Sequence, residues 1–346
     1  LKNVLFRVDA DKNIGLGHYK RCVAISNYLS NSINRIFLTK SEEVIRLNEN
    51  ILTIKISSDY DFDQEISFTD KIINEYDIDV IISDINNHSA SKNKSHYISY
   101  LKQLSVFNPL LVTFEDFIIN QTNSNFIVIP YVGAENIKID NVKKSNYLLG
   151  PKYFVIRKEF FALIPRVINN QTRSILISMG GSDVNNLTEK IVKIILSISE
   201  NIHINIIKGS INNYKYNKIR ELLKNSDNSF KIYESPGNMA EIMGKSDLGI
   251  FSSGLTQYEA SAVGLPAIVI SLNDYHKQVV DEYAKMNSII SFGTFGSNRI
   301  GKLKETIINI INNQQIRRDM SRNGKKIIDG KGIERIVNEI DSRLVS

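Results

Sequence analysis

From residue 3 onward, short β-branched runs alternate with amphipathic stretches of helical length, and this rhythm limits the fold more than any single residue does. In the first half the strand candidates are NVLFRV (3–8), RIFLT (35–39), ILTIKI (51–56), VIIS (80–83), LLVTF (110–114) and FIVIP (126–130). Helical patterns fall between most of them, at 18–30, 64–75 and 92–105. The second half repeats the theme with SILISMG (174–180), HINIIKG (203–209), FKIYE (230–234), LGIFSS (248–253), PAIVIS (266–271) and SIISFG (288–293). Alternation of this kind builds parallel sheets covered by helices on both faces. Each half carries enough units for a doubly wound sheet of its own. The Gly150-Pro151 pair interrupts the alternation and reads as a turn. The sequence therefore predicts an α/β chain of two Rossmann-type domains, 1–149 and 150–346, facing each other across a cleft, the second ending in helices. In such sheets ligands sit at the carboxyl ends of the strands, so chemistry is sought in the loops that follow them.

A chain of 346 residues suits two domains, and a hydrophobic fraction of 42% supplies a core for each. The lone cysteine, Cys22, excludes a disulfide framework and fits a reducing compartment. No apolar run reaches the roughly 18 residues of a spanning helix, and the chain enters its first strand with no apolar leader before it. The expectation is a cytoplasmic protein without membrane insertion. Net charge is +6, and +5 of it lies from Arg299 to the end, where 11 Lys and Arg face 6 Asp and Glu. No aromatic residues interleave with these cations and no nucleic-acid motif accompanies them, so they read as a solvated helical face and no nucleic-acid partner is expected. Oligomeric state leaves no mark in the sequence.

Glycine loops follow the first strand of each half. The first is Gly15-Leu16-Gly17-His18; the second, MGGSDVNNLT, carries Gly180-Gly181-Ser182-Asp183 into a helix near Asn186. Free backbone N–H groups and the positive end of a helix dipole make both candidates for anionic groups. Neither is a dinucleotide fingerprint or a P-loop. His18 adds a group that can take a proton near neutral pH. Arg21, one turn further on, can hold a phosphate or a carboxylate, whereas Cys22 reads as core. A third stretch, DLGIFSSGLTQYEASAVGLPAIVIS (247–271), ends a strand in Ser252-Ser253-Gly254 and starts a helix near Leu255-Thr256 that carries Glu259. Ser hydroxyls with the Gly254 and Leu255 amides suit a diphosphate, and Glu259 suits two ribose hydroxyls. With five scattered histidines and one cysteine, nothing points to zinc or to another metal or cofactor.

Four stretches carry a resemblance: RVDADKNIGLGHYKR (7–21), GPKYFVIRKEF (150–160), ISMGGSDVNNLT (177–188) and NMAEIMGKSDLGIFSSGLTQYEASAVGLP (238–266). The second half resembles the nucleotide-binding half of GT-B glycosyltransferases of the lipid II synthase type. The whole chain resembles the UDP-2,4-diacetamido-2,4,6-trideoxy-β-L-altropyranose hydrolases of pseudaminic acid biosynthesis and the spore-coat polysaccharide proteins related to them. The resemblance implies a GT-B-like fold and metal-independent, inverting hydrolysis that releases UDP from a UDP-sugar. It makes His18 the general base, in a loop with Gly15 and Gly17, and places Arg7, Asp9 and Arg21 beside the sugar. It assigns UDP to Gly180, Gly181, Ser252, Ser253, Gly254, Leu255, Thr256 and Glu259, with Met239 near the uracil through its backbone.

Two departures stand against that pattern. The hydrolases commonly show Asp-x-Tyr after the strand corresponding to DVIIS, where this chain reads Asp84-Ile85-Asn86. Beyond PAIVIS they carry an Asn-Gln pair, replaced here by Asn273-Asp274-Tyr275-His276-Lys277-Gln278, so that Asn273, His276 or Gln278 takes the role. Hydrolysis is the leading expectation. A GT-B glycosyltransferase with a nucleotide-sugar donor, and a non-catalytic nucleotide-sugar binding protein, stay open as alternatives, because fold alone does not separate them.

Overall fold

The computed structural model describes all residues except 1, 11–15, 49–50, 86–93, 115–123, 138–145, 162–165, 181–182, 184–185, 199–200, 210–212, 235 and 346. The chain divides into two compact units, one of residues 1–157 with 331–346, the other of residues 158–330.

Unit 1 runs β1 (Asn3–Val8), α1 (Gly17–Tyr28), β2 (Asn34–Thr39), α2 (Glu42–Leu47), β3 (Leu52–Lys55), α3 (Phe62–Glu75), β4 (Val80–Asp84), α4 (Lys94–Leu104), β5 (Leu110–Phe114), β6 (Phe126–Ile129) and β7 (Tyr147–Leu149). Its sheet is parallel throughout, in the order β3-β2-β1-β4-β5-β6-β7. The strands read as unbroken apolar runs because both faces are covered. Val4, Phe6 and Val8 pack with Cys22 and Ile25 of α1, whereas Leu5 and Ile81 pack on the other face with Ile72 of α3 and Leu101 of α4. A capping box starts α3, with the Asp61 carboxylate accepting from Gln64 N and the Gln64 side chain accepting from Asp61 N.

Unit 2 repeats the plan with β8 (Ser174–Ser178), α5 (Leu187–Leu196), β9 (His203–Lys208), α6 (Asn213–Lys224), β10 (Phe230–Glu234), α7 (Met239–Lys245), β11 (Leu248–Ser252), α8 (Thr256–Ala262), β12 (Ala267–Ser271), α9 (Asp274–Ala284), β13 (Ile289–Thr294), α10 (Ile300–Asn312) and α11 (Gln314–Ile327). Its parallel sheet has the order β10-β9-β8-β11-β12-β13. Arg317 of α11 is buried and donates to Ile310 O at the end of α10, and also to Asn169 O and Asn170 O. A cation at a helix C-terminus, satisfied by orphan carbonyls, thus binds the segment that opens the unit.

The α/β class and the two doubly wound parallel sheets agree with the alternation in the sequence. The division differs from the expected 149/150. The turn at Pro151–Tyr153 belongs to unit 1, since Tyr153 and Val155 lie in its core. So does the last helix, α12 (Gly332–Val345), which buries Ile333, Ile336 and Ile340 against β1 and α1. No described helix is long and apolar enough to cross a membrane.

Candidate functional site

Both sheets follow the order 3-2-1-4, so each has a switch point where the chain reverses direction across the sheet: between β1 and β4 in unit 1, and between β8 and β11 in unit 2. Loops on either side of such a point diverge and leave a crevice at the strand ends.

At the first switch point α1 begins at Gly17 and carries His18 on its first turn. Its N-cap, Leu16, provides no side-chain bond to the helix start. Across the crevice β4 ends in Asp84, fully buried and in register with Val8, and therefore on the α1 face of the sheet. His18 Nδ1 lies 2.8 Å from Asp84 Oδ1. Arg21, one turn along, grips the same carboxylate with both prongs, Nε to Oδ2 at 2.6 Å and Nη2 to Oδ1 at 2.7 Å. The Arg21 guanidinium also lies 4.6 Å from the centre of the Phe114 ring, and its Nη1 is 3.4 Å from the Tyr131 hydroxyl. Burial works to raise the Asp84 carboxyl, but the charges and hydrogen bonds of Arg21 and His18 outweigh it and hold the group at about 2. His18 keeps 21% of its side chain exposed, which leaves the ring open on one side. A His whose Nδ1–H is held by a carboxylate presents Nε2 as a base.

Asp84, the carboxylate that meets both His18 and Arg21, is the residue that sequence reasoning missed, having registered only as the first residue of an altered triplet. A lone carboxylate ending the apolar run VIISD at the edge of a buried parallel strand was the available signal. Arg21 does bind a carboxylate, and that carboxylate is Asp84. Arg7 and Asp9, expected beside a sugar, are engaged with each other and Arg7 also with Glu65 of α3. By strand alternation Arg7 points to the opposite face from His18, where Nη1 meets Asp9 Oδ2 at 2.8 Å and Nη2 meets Glu65 Oε1 at 3.2 Å. Lys40 Nζ reaches Glu65 Oε2 at 2.5 Å, and Asp9 accepts from Thr39 Oγ1 and Lys40 N. The Asp9 carboxyl is lowered, since Arg7 and the Lys40 amide together outweigh the opposing effect of burial. This is a charge-balanced network joining β1, β2 and α3. Gly15 lies outside the described residues.

At the second switch point the two glycine loops meet. Gly180 has φ +72°, and a Cβ on it would lie 3.3 Å from Ser252 Oγ, so β8 and β11 approach closely there. Gly181 lies outside the described residues. At the start of α5, the helix that follows, two backbone N–H groups already have a carboxylate partner. Asp183 turns back on it, accepting from Leu187 N at 2.8 Å and Thr188 N at 3.3 Å, and supplies the charge that the helix start favours. The β11 loop is different. Ser252 is buried at the strand end, Gly254 has φ +153° with open space where a side chain would project, and Leu255 caps α8 without a side-chain bond. Ser253 Oγ lies 3.2 Å from His276 Nδ1 and accepts from Leu272 N at 3.4 Å. Asn273 caps α9 by accepting from His276 N at 2.8 Å. The strand-end loops of β11 and β12 thus bring Ser253, Asn273 and His276 together. Thr256 and Glu259 stand on the first turn of α8, and Met239, half-buried, starts α7. Gln278 is exposed and, two residues past His276, lies roughly 200° round the helix from it, away from Ser253. Among the described residues no group of three or more His, Cys, Asp and Glu could hold a metal ion.

No family model matches the chain. An uncharacterised protein of Methanocaldococcus jannaschii, MJ1062, is 32% identical over 292 residues, covering 80% of this chain and 57% of that protein. The chain therefore spans little more than half the length of that relative. The spore coat polysaccharide biosynthesis protein SpsG of Bacillus subtilis is 22% identical over 334 residues, 93% of each chain. Among solved structures, MurG of Acinetobacter baumannii matches with a TM-score of 0.70 at 14% identity, covering 99% of this chain and 100% of that one. HepE of Anabaena in complex with UDP matches with a TM-score of 0.63 at 11% identity, covering 99% and 100%. The chain is thus similar in sequence to a protein of spore-coat polysaccharide biosynthesis and, in its two parallel-sheet α/β units, similar in fold to GT-B glycosyltransferases.

Proposed function

We propose that the chain is a glycosyltransferase of polysaccharide biosynthesis that takes a UDP-sugar as donor and uses His18 as its general base. The observation that carries this reading is the His18–Asp84 pair at 2.8 Å, on a ring still open to solvent at the switch point of unit 1. Nε2 accepts the proton of an acceptor hydroxyl as its oxygen attacks the anomeric carbon. The bond from that carbon to the diphosphate oxygen breaks, its electron pair leaves with UDP, and the configuration inverts. A glycosyl diphosphate already carries a good leaving group, so positioning and electrostatic stabilisation supply much of the remaining acceleration. In unit 2 the Ser252–Thr256 loop with Gly180 is assigned to UDP, Glu259 to the ribose and the Met239 backbone to uracil. Asn273 and His276 are assigned to the sugar. Similarity to SpsG across nearly the whole chain and to the UDP complex of HepE supports this class of substrate.

A second reading is hydrolysis of a UDP-2,4-diacetamido-trideoxyhexose, with water in place of the acceptor. The Gly-Leu-Gly-His loop favours it, because a carboxylate-oriented imidazole activates water as readily as a sugar hydroxyl. One experiment separates the two. UDP release is measured from a panel of UDP-hexosamines, including the diacetamido-trideoxyhexoses, with and without saccharide acceptors, for the native chain and His18→Ala. Release that needs an acceptor and falls about a hundred- to ten-thousand-fold in His18→Ala, with UDP binding intact, is the expected result. Acceptor-independent release that collapses in the variant would establish the hydrolase instead. UDP-sugar binding with no turnover of any donor would overturn both.

A further inference from the structure

We infer that Arg21 is a positioning residue that neutralises Asp84, so that the carboxylate orients the His18 imidazole without trapping it in its protonated form. The inference rests on the reading of His18 as the base and says what governs that base.

The geometry sets two contacts in competition. His18 Nδ1 lies 2.8 Å from Asp84 Oδ1 and 3.3 Å from Arg21 Nη2. Nδ1 cannot donate to the first and accept from the second at once. The shorter approach to an ionised oxygen is the hydrogen bond, and it fixes the tautomer with the proton on Nδ1. The longer one then leaves a guanidinium beside the ring. A bare buried carboxylate would favour imidazolium strongly, and an imidazolium has no lone pair with which to act as a base. With Arg21 bonded to both oxygens of Asp84 the pair carries no net charge, and orientation is kept while the pull toward protonation is offset.

The Arg21 guanidinium is buried, with Phe114 of β5 on one face, Tyr131 of the loop after β6 at Nη1, and Asp84 of β4 across Nε and Nη2. Asp84 of β4 and Arg21 of α1 lie within hydrogen-bond distance of His18. Tyr131 stands behind Arg21, Cys22 is buried beneath α1, and Lys20 is on the helix's exposed side. The sequence already set Arg21 three residues after His18, one helical turn, without showing that both converge on a residue 66 positions away.

The test is an NMR titration of the His18 ring in the ligand-free chain, which needs no turnover and so stands or falls separately from the assignment of the reaction. Arg21→Gln removes the charge, Arg21→Lys keeps it, and Asp84→Asn removes the carboxylate. The His18 midpoint is expected to rise by about 1–2 pH units in Arg21→Gln and to stay near the native value in Arg21→Lys. In Asp84→Asn it is expected to fall, as Arg21 is left facing the ring, and the nitrogen shifts should show Nδ1 losing its fixed proton. Equal midpoints in Arg21→Gln and Arg21→Lys would overturn the inference. Should Arg21→Gln fail to fold, an Asp84→Asn midpoint at or above the native value would overturn it as well.

Discussion

Burial alone would push the Asp84 carboxyl above the usual carboxylate range, yet Arg21 and His18 hold it at about 2. That difference is a statement about stability. An unfolded Asp titrates near 3.9, so the folded state binds its proton less readily than the unfolded state does. The stabilisation is fully present above about pH 4 and is lost as the pH falls through the folded value near 2. Its size is on the order of 2 kcal/mol. Asp84→Asn should be less stable than the native chain at pH 6, because it leaves the buried Arg21 uncompensated. The gap should narrow by about 2 kcal/mol between pH 6 and pH 2, read from urea midpoints across that range. A gap that stays constant would mean that Asp84 is not ionised in the fold. At this scale the sequence was uneven. His18 was legible because a glycine loop and a helix start lie beside it in the chain. The roles of Asp84 and Arg7 were not, because strand order and the alternation of side chains across the sheet decide which face each residue meets.

Short α8 shows how an element acquires a fixed place that seven residues alone cannot give it. Ser261 is its anchor: the Tyr283 hydroxyl of α9 donates to Ser261 Oγ at 2.5 Å, and Tyr258 stacks on Tyr283 with ring centres 4.8 Å apart. On the other side Gly324 of α11 packs against the Ser261 backbone, and a Cβ there would lie 3.0 Å from both Ser261 Cα and Ser261 O. Neither atom is the end of a flexible side chain, so a methyl group must push α8 and α11 apart. Gly324→Ala should cost about 1–3 kcal/mol by overpacking and weaken UDP binding through the Ser252–Thr256 loop at the head of α8. Gly301→Ala is the control, since nothing lies within 4 Å of a Cβ there and α10 gains a better helix former. Thermal unfolding and UDP titration of the two variants check this; a Gly324→Ala chain as stable and as tight-binding as Gly301→Ala would refute it. The packing glycine was invisible in the sequence, where only the local turns of the strand–loop–helix stretch could be read. The same limit hid α2, with its six residues, and β7, with three, since a periodic pattern needs length to declare itself. The capping of α5 by Asp183 was hidden for a different reason: a glycine loop before a helix looks alike whether its amides face a ligand or a side chain.

The whole molecule is two repeats of one plan, and strand order is what turns that plan into candidate sites. Alternation in the sequence gave parallel sheets but not their order, and the order alone places Asp84 beside His18 and Gly180 beside Ser252. The chain also closes on itself in a way that alternation does not reveal. Having built unit 2, it returns at Gly332, where any Cβ would run into the Phe154 carbonyl, and lays α12 on unit 1. Ile336 of that helix is fully buried in the same cluster as Val8, Ala24 and Ile25, on the face of the sheet that carries α1. That cluster draws its side chains from unit 1. A cavity at Ile336 should therefore act on unit 1, although the residue lies beyond unit 2 in the chain. Ile336→Ala should cost about 2–5 kcal/mol, and amide exchange should show where. Protection is expected to fall in β1, β4 and α1 and to hold in β8, β11 and β12. Loss of protection shared equally by both sheets would show that the units unfold as one, and that α12 is the strap by which they do so.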